Sequence, residues 1–291
     1  MPRLLQRGHE VVALARSKAS AELVRGAGAE VHEGDLSDAT SLPGLVDGAD
    51  VVLHLAGGVR GPGRVTPDVL NRIGTENLAS AMADQRVVLA SSCAVYGDRS
   101  NLWIEEDFEP SPNTRYGRSK VEAEKIARER GWAIARIAAI YGEGFPFAMV
   151  ERMREGKAWL PGEGRNHIPT MHIDDCVGAL VLLAEGDTTE VVHLADRSQP
   201  TMREFYDCVH RHAGGSPMRF WSTYIPSYVQ NWAAKNNERL QSRIGQKPRF
   251  TPDNLRLFTN SVRLRTKVLE GLGFEWVHAE HEAGIAATWG P

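Results

Sequence analysis

The sequence has few cysteines and no long apolar run. Its three cysteines, Cys93, Cys176 and Cys208, are far apart and odd in number, which fits neither a disulfide framework nor a zinc site with paired ligands. We therefore expect a reducing, cytoplasmic location and no metal. No apolar stretch is long enough to span a bilayer, and the first residues lack the apolar core of a signal peptide, so no membrane association is expected.

The sequence also lacks a strong imbalance of charge. It contains 34 basic and 37 acidic residues, a formal net charge of -3, without long runs of one sign. A nucleic-acid partner would require a basic patch, so a small molecule is the expected ligand. Internal repeats are missing too, whereas 42% of the 291 residues are hydrophobic, which is enough for a large buried core.

Short apolar runs alternate with amphipathic stretches over the first two thirds of the chain. Strands are predicted at 10–15, 30–33, 50–55, 86–91 and 132–137, and helices at 19–27, 67–83 and 116–130. This alternation is typical of βα units on a doubly wound parallel sheet. Residues 1–145 are predicted to form a dinucleotide-binding region and residues 146–291 a mixed region with a smaller substrate lobe. Within the latter, residues 226–272 are predicted to be helical and surface-facing.

The pattern lacks the usual opening of a dinucleotide fold, which is an apolar strand, a glycine-rich turn and a helix that meets the pyrophosphate. Here a short helical segment at 2–6 and Gly8 precede the first strand-like segment. The absent strand is normally central, so its loss would leave two half-sheets, and on the order of 20 residues would restore it. We expect a truncated chain or a start assigned too far downstream, with a genuine cofactor-free relative as the alternative.

A tyrosine and a lysine four residues apart carry the clearest chemical signal. Tyr116 and Lys120 share one face of a predicted helix, where the ammonium would lower the tyrosine pKa from about 10. Ser92 follows the predicted strand 86–91, at the edge where open α/β sheets bind ligands. Its hydroxyl can hold a substrate oxygen while Tyr116 moves the proton. Such a pair occurs by chance in many helices, and the strand context favours catalysis here.

Several segments in the right order resemble the extended short-chain dehydrogenases/reductases, which include nucleotide-sugar epimerases and dehydratases. The segments are VVLASSCAVYG at 87–97 and YGRSK at 116–120, supported by GDL at 34–36, HLAG at 54–57, NRIGT at 71–75 and MHIDD at 171–175. The resemblance spans nearly the whole chain. It implies a Rossmann-type sheet, an NAD(P) cofactor, and hydride transfer at a carbinol or ketone carbon through Ser92, Tyr116 and Lys120.

The resemblance also implies a set of cofactor-binding residues: Arg16, Ser17, Asp35, Leu36, Leu55, Ala56, Gly57, Asn71, Ala90, Tyr116, Lys120 and Ile137. Arg16 and Ser17 stand where an NAD enzyme usually has an acidic residue for the ribose hydroxyl. A cation and a hydroxyl suit a 2'-phosphate, so NADP is slightly favoured over NAD, with a solvated arginine as the alternative. Asp35 could equally be a turn residue, and Gly57-Gly58 a plain turn.

Departures from the family patterns narrow the reaction. Cys93 and Ala94 stand where 4,6-dehydratases carry Asp-Glu, which disfavours dehydration. Residues 136–142 read RIAAIYG, where nucleotide-sugar enzymes read Arg-Pro-x-Asn-x-Tyr-Gly. A sugar nucleotide therefore stands beside a simpler alcohol, ketone or sterol-like substrate, and redox and epimerisation both stay open. A non-catalytic binding or assembly protein is the alternative function, and a homodimer is a possible assembly.

Overall fold

The computed structural model describes residues 1–59, 66–100, 102–144, 147–221, 227–243 and 251–290. The helices are α1 (Pro2–Gln6), α2 (Lys18–Gly26), α3 (Pro43–Val46), α4 (Gly74–Ala81), α5 (Arg115–Glu129), α6 (Phe147–Arg154), α7 (Ile173–Glu185), α8 (Met202–Ala213), α9 (Ser227–Arg243), α10 (Pro252–Thr259), α11 (Lys267–Gly271) and α12 (His281–Trp289). Within these ranges, none of the helices combines the length and the apolar character needed to cross a membrane.

The strands are β1 (Val12–Ala15), β2 (Glu30–Glu33), β3 (Val51–His54), β4 (Arg86–Ser92), β5 (Trp103–Ile104), β6 (Ala133–Ile137), β7 (Ala139–Tyr141), β8 (Trp159–Pro161), β9 (Thr170–His172), β10 (Val191–Leu194), β11 (Arg219–Trp221) and β12 (Arg263–Leu264). The strands and helices predicted over the first two thirds of the chain are confirmed to within a few residues. Their apolar runs and amphipathic periods were therefore sufficient signals for the α/β class.

Parallel pairing dominates the sheets. β3, β4, β6 and β10 form a four-stranded sheet in the order β10-β6-β4-β3, in which β3 and β4 pair in parallel with Val51 opposite Arg86. β1 and β2 form a separate parallel pair with Val12 opposite Glu30. Within the described ranges β1 has no pairing with β3. The prediction that a first strand and a glycine loop are missing from this sheet stays a prediction.

The chain divides into two compact units that are interleaved in sequence. The first comprises Met1–Ser91, Ser119–Ala135 and Gly178–Val191, and the second comprises Ser92–Arg118, Arg136–Val177 and Val192–Pro291. The first unit has a core that includes Leu78, Leu89 and Ile134. The second has a core that includes Met153, Phe205 and Ile285. The predicted boundary near residue 145 stays a prediction.

The stretch 226–272 is helical as predicted over α9, α10 and α11, while residues 244–250 lie outside the described part. The prediction that this stretch faces the surface is wrong for its second half, residues 251–272. Leu255, Leu264 and Leu269 are all buried, and Leu264 belongs to β12, which pairs in parallel with β5. Burial of these three leucines stabilises the second unit by roughly 1.5–3 kcal/mol each. The many polar residues around them led to the wrong prediction of a surface-facing stretch.

The helix predicted at 67–83 is not regular. It is helical from Pro67, a π turn covers Val69–Ile73, and the regular helix α4 follows from Gly74. The turn carries Asn71, whose side chain is 1% exposed, and the Thr75 hydroxyl donates to the Asn71 carbonyl at 2.5 Å. Single π turns inside helices often accompany functional positions, because they redirect one side chain relative to a regular helix.

Candidate functional site

Asn71 holds the backbone turn that follows β3. The Gly58 amide donates to Asn71 Oδ1 and Asn71 Nδ2 donates to the Gly58 carbonyl, both at 3.1 Å. Nδ2 also donates to Ser119 Oγ at 2.9 Å. A β carbon on Gly57 would lie 2.5 Å from Asn71 Oδ1 and 2.9 Å from Lys120 Nζ. Glycine at this position therefore leaves room for two buried polar groups next to an exposed backbone.

The Lys120 ammonium is buried in the same unit. Its residue is 4% exposed, and Nζ donates to the Ala90 carbonyl at 2.7 Å. Burial lowers the pKa of Lys120 to about 8, and the Glu124 carboxylate acts in the opposite direction. Glu124 is 2% exposed and accepts a hydrogen bond from Ser91 Oγ at 2.5 Å. The site thus contains a buried cation with its own buried counter-charge.

His54 adds a neutral, fixed imidazole beside this cation. Burial, together with the charge of Lys120, lowers the pKa of His54 to about 3. Its Nε2 lies 2.9 Å from the Thr75 hydroxyl. No sequence motif indicated Glu124 or His54 as a site residue. Glu124 could have been found from its position four residues after Lys120, which places both on one helix face.

Replacing Glu124 with glutamine is expected to lower the pKa of Lys120 below its value of about 8. The carboxylate favours the ammonium form, so its removal leaves burial unopposed, while a glutamine oxygen still accepts from Ser91. Titration of lysine side chains labelled with ¹³C, followed by NMR, measures the midpoint. Glu122→Gln is the control, because Glu122 lies half-buried on the same helix and pairs with Lys125 at 2.8 Å. An unshifted midpoint in the Glu124 variant would contradict the assignment.

Ser92 and Tyr116 come together in the second unit. Ser92 is the last residue of β4, and a 3-10 turn over Cys93–Tyr96 follows it. Ser92 Oγ accepts from the Ala94 amide at 3.2 Å and hydrogen-bonds the Tyr116 side chain. The predicted neighbours are therefore in contact, at the end of a strand of the four-stranded sheet.

The predicted direction of the Tyr116 pKa shift is wrong. Burial raises the pKa of Tyr116 above its ordinary value, and the hydrogen bond from Ser92 only partly offsets that rise. Burial also raises the pKa of Cys93 to about 11, so that thiol stays protonated and unreactive. The predicted lowering of the pKa considered only the nearby lysine. It omitted the desolvation free energy that disfavours a phenolate in a buried position.

The lack of a side chain at Gly117 allows α5 to pack close to the turn after β4, which brings Tyr116 near Ser92. A β carbon at Gly117 would collide with the carbonyl oxygen of Ala94, in the turn after β4. The helix backbone therefore packs directly on that turn. Tyr116 and Lys120 both belong to α5 and lie four residues apart, so the helical spacing predicted for them is confirmed.

Four of the other predicted cofactor residues have contacts within the chain. Arg16 Nε lies 3.8 Å from Asp35 Oδ2, and the Ser17 side chain caps α2 by accepting from the Ser20 amide. The Asp35 carboxylate accepts from the amide and the hydroxyl of Ser37, both at 2.8 Å, as a turn residue does. The Leu36 side chain covers Gly74.

Three predicted cofactor residues lie at strand ends. Leu55 is 52% exposed and Ala56 is exposed, both directly after β3. Ile137 is half-buried at the end of β6, in the second unit. An exposed leucine beside a glycine turn at the carboxyl end of a parallel strand is suited to contact with a flat, partly apolar ligand.

A parallel α/β sheet with a serine at a strand end and a Tyr-x-x-x-Lys helix defines the extended short-chain dehydrogenase/reductase class. The model of the NAD dependent epimerase/dehydratase family matches residues 1–195. The chain belongs to that family.

Named relatives differ in their activities. A ketoreductase of Stigmatella aurantiaca, which acts on a farnesylated dihydroquinoline oxide, is 28% identical over 69% of this chain and 65% of its own length. An undecaprenol-linked N-acetylglucosamine 4-epimerase of Escherichia coli is 30% identical over 50% of this chain and 48% of its own length. The chain thus spans between about half and two thirds of the length of these two relatives.

Solved structures share the fold. UDP-glucuronic acid 4-epimerase from Bacillus cereus, in complex with UDP-glucuronic acid and NAD, has a TM-score of 0.74 and 19% identity, covering 99% of this chain and 92% of that one. A human epimerase family protein with NADPH has a TM-score of 0.71 and 17% identity, covering 96% and 99%. At these identities the likeness establishes the fold alone.

Proposed function

We propose that this chain is an NAD(P)-dependent oxidoreductase or epimerase acting at a carbinol or ketone carbon of a sugar nucleotide or another small alcohol or ketone. The observation that carries the proposal is the hydrogen bond between Ser92 and Tyr116 at the end of β4. Ser92 and Tyr116 are half-buried, and Lys120, one helical turn after Tyr116, is buried. Withdrawing these polar groups from water costs free energy, which a chemical role would justify.

Each of the three side chains has a distinct role in the proposal. Tyr116, whose pKa is raised by burial, is a protonated phenol near neutral pH and gives its proton to a ketone oxygen during reduction. Ser92 donates a hydrogen bond to the same oxygen and so places it beside the phenol. Lys120 supplies a fixed positive charge, and its partner Ala90 keeps the ammonium in place.

The residues at the end of β3 are suited to bind part of a nicotinamide dinucleotide. Gly57, the exposed residues Leu55 and Ala56, and the polar side chains of Asn71 and Lys120 would hold it against the end of β3. When bound, such a cofactor supplies or accepts the hydride. The chain's own part is to bind the cofactor, exclude water and move the proton.

The cofactor preference gives a separate prediction. If Arg16 holds a 2'-phosphate, Arg16→Ala should weaken NADPH binding by about 10-fold or more and leave NADH binding unchanged, because a charge-assisted hydrogen bond contributes about 1.5–3 kcal/mol. Fluorescence titration with both dinucleotides measures the two affinities. Arg25→Ala is the control, because Arg25 is a similarly exposed arginine that pairs with Glu33. Equal losses for both dinucleotides would refute a preference for NADP.

Product analysis tests the reaction itself. The protein is incubated with NAD(P)⁺ and a set of UDP-sugars, and in parallel with NADPH and small ketones, while nicotinamide absorbance and the sugar products are followed. We expect either an absorbance change or an epimerised sugar with one member of the set. Dinucleotide binding without any product from either set would favour the non-catalytic binding or assembly role instead.

A further inference from the structure

A group of metal-binding side chains lies on α8 and α12 of the second unit. Cys208, His212 and Glu282 each offer one ligand atom, and these three atoms all lie within 4.8 Å of one another. We propose that they bind a divalent cation of the zinc class, with water completing the coordination. The site involves none of the residues assigned to hydride transfer.

The helical positions bring these ligands together. Cys208 and His212 are four residues apart on α8 and therefore share a face. A capping box at Thr201 and Glu204 fixes the start of α8, and α12, which carries Glu282, packs against α8. Ligands on packed helices are held more rigidly than ligands on loops, as a metal site requires.

The donor set suits zinc better than magnesium or calcium. Thiolate, imidazole and carboxylate are the three ligand types that zinc accepts, whereas harder cations take oxygen ligands. Zinc-ligand bonds of about 2.0–2.3 Å place tetrahedral ligand atoms roughly 3.5 Å apart, so small side-chain rotations close the observed spacing. Binding converts the Cys208 thiol to a thiolate, and its proton leaves to solvent.

The end of α8 contributes partial negative charge beside the cluster, the Arg211 guanidinium pairs with Glu282, and one side of the cluster is open to solvent. His212 lies in the last turn of α8, where the helix dipole places partial negative charge. Arg211 Nη2 donates to Glu282 Oε1 at 3.0 Å, which orients the carboxylate and leaves its second oxygen for the metal. Cys208 is 1% exposed, His212 is half-buried and Glu282 is exposed, so an ion can approach from the carboxylate side.

A second cluster of similar composition is less suitable. His172, Asp174 and His278 also place ligand atoms within 4.8 Å of one another. However, both ring nitrogens of His172 are engaged, since Nε2 lies 3.1 Å from the Thr288 hydroxyl and Nδ1 accepts from the Asp174 amide at 3.2 Å. A metal there would have to displace an existing hydrogen bond. The cluster around Cys208 offers a thiolate ligand in addition.

Cobalt titration tests the site directly, because a cobalt-thiolate bond gives a charge-transfer band in the near ultraviolet. With the full chain under reducing conditions, we expect this band to saturate at one Co²⁺ per chain and to disappear when Zn²⁺ is added. Cys208→Ser should abolish the band. Cys176→Ser is the matched control, because Cys176 is an equally buried cysteine on α7 outside the cluster.

Two further variants test the site without changing a fully buried side chain, so that loss of the band can be distinguished from loss of folding. His212→Gln and Glu282→Gln change half-buried or exposed side chains and are expected to weaken Co²⁺ binding by about 10-fold or more, with an unchanged circular dichroism spectrum. The absence of a thiolate band with the wild-type chain, or a band that survives Cys208→Ser, would overturn the proposal. Wild-type Co²⁺ affinity in both the His212 and Glu282 variants would overturn it as well.

Discussion

Tyr116→Phe is expected to lower the turnover number by about 100- to 10,000-fold while leaving dinucleotide affinity within about 3-fold of the wild type. The substitution removes one hydroxyl, which donates the proton to the reacting oxygen and hydrogen-bonds Ser92. The ring remains, so packing around it is preserved. Steady-state rates with the substrate found in the product analysis, together with fluorescence titration of the dinucleotide, measure the two quantities.

Tyr206→Phe is the matched control for this variant. Tyr206 is also buried, and burial raises its pKa too, but it lies on α8 away from Ser92. Its variant should retain turnover within a small factor. If Tyr116→Phe kept full activity, or if both variants lost activity equally, proton transfer by Tyr116 would be refuted.

Gly117→Ala is expected to lower both the free energy of unfolding and the turnover number. Alanine normally stabilises a helix by up to about 1 kcal/mol relative to glycine. Here its β carbon meets the backbone carbonyl of Ala94, which has no flexible end to move away. Overpacking of this kind costs about 1–3 kcal/mol, so the clash outweighs the gain in helix propensity. The shift of α5 would also separate Tyr116 from Ser92.

Urea unfolding and steady-state kinetics measure these two effects. Gly26→Ala is the control, because Gly26 lies in α2 with no atom within 4 Å of an added β carbon. That variant should be as stable as the wild type or slightly more so. A Gly117 variant with unchanged unfolding and unchanged turnover would show that the close approach of α5 to the turn after β4 is unimportant.

The elements that the sequence predicted well depend on local pattern. β4 and β6 lie within one residue of the strands predicted at 86–91 and 132–137, because a compact apolar run defines a buried strand. The placement of Tyr116 and Lys120 on one helix was predictable because a four-residue spacing within one helix needs no knowledge of tertiary contacts. The position of Ser92 at a strand end was predictable because the apolar run 86–91 defines the strand that it follows.

The features that the sequence did not predict depend on distant contacts. The sign of the Tyr116 pKa shift follows from burial, which no spacing within α5 reveals. The pairing of Glu124 with Ser91 joins a helix to a strand more than thirty residues earlier. Sequence spacing does not indicate a partner for Cys208 because Glu282, whose carboxylate lies near it on α12, is far away in the sequence. Each of these features arises only when the elements have packed.

Titration of NADH and NADPH into the wild-type chain, followed by nicotinamide fluorescence, tests the central claim most directly. The account predicts saturable binding of at least one dinucleotide, and a loss of about 10-fold or more in affinity when Lys120 is replaced by methionine, because a buried charge-assisted donor is removed. The Glu122→Gln variant should bind like the wild type. Absence of binding by the wild-type chain, or unchanged affinity in the Lys120 variant, would contradict the assignment of this chain as a dinucleotide-dependent enzyme.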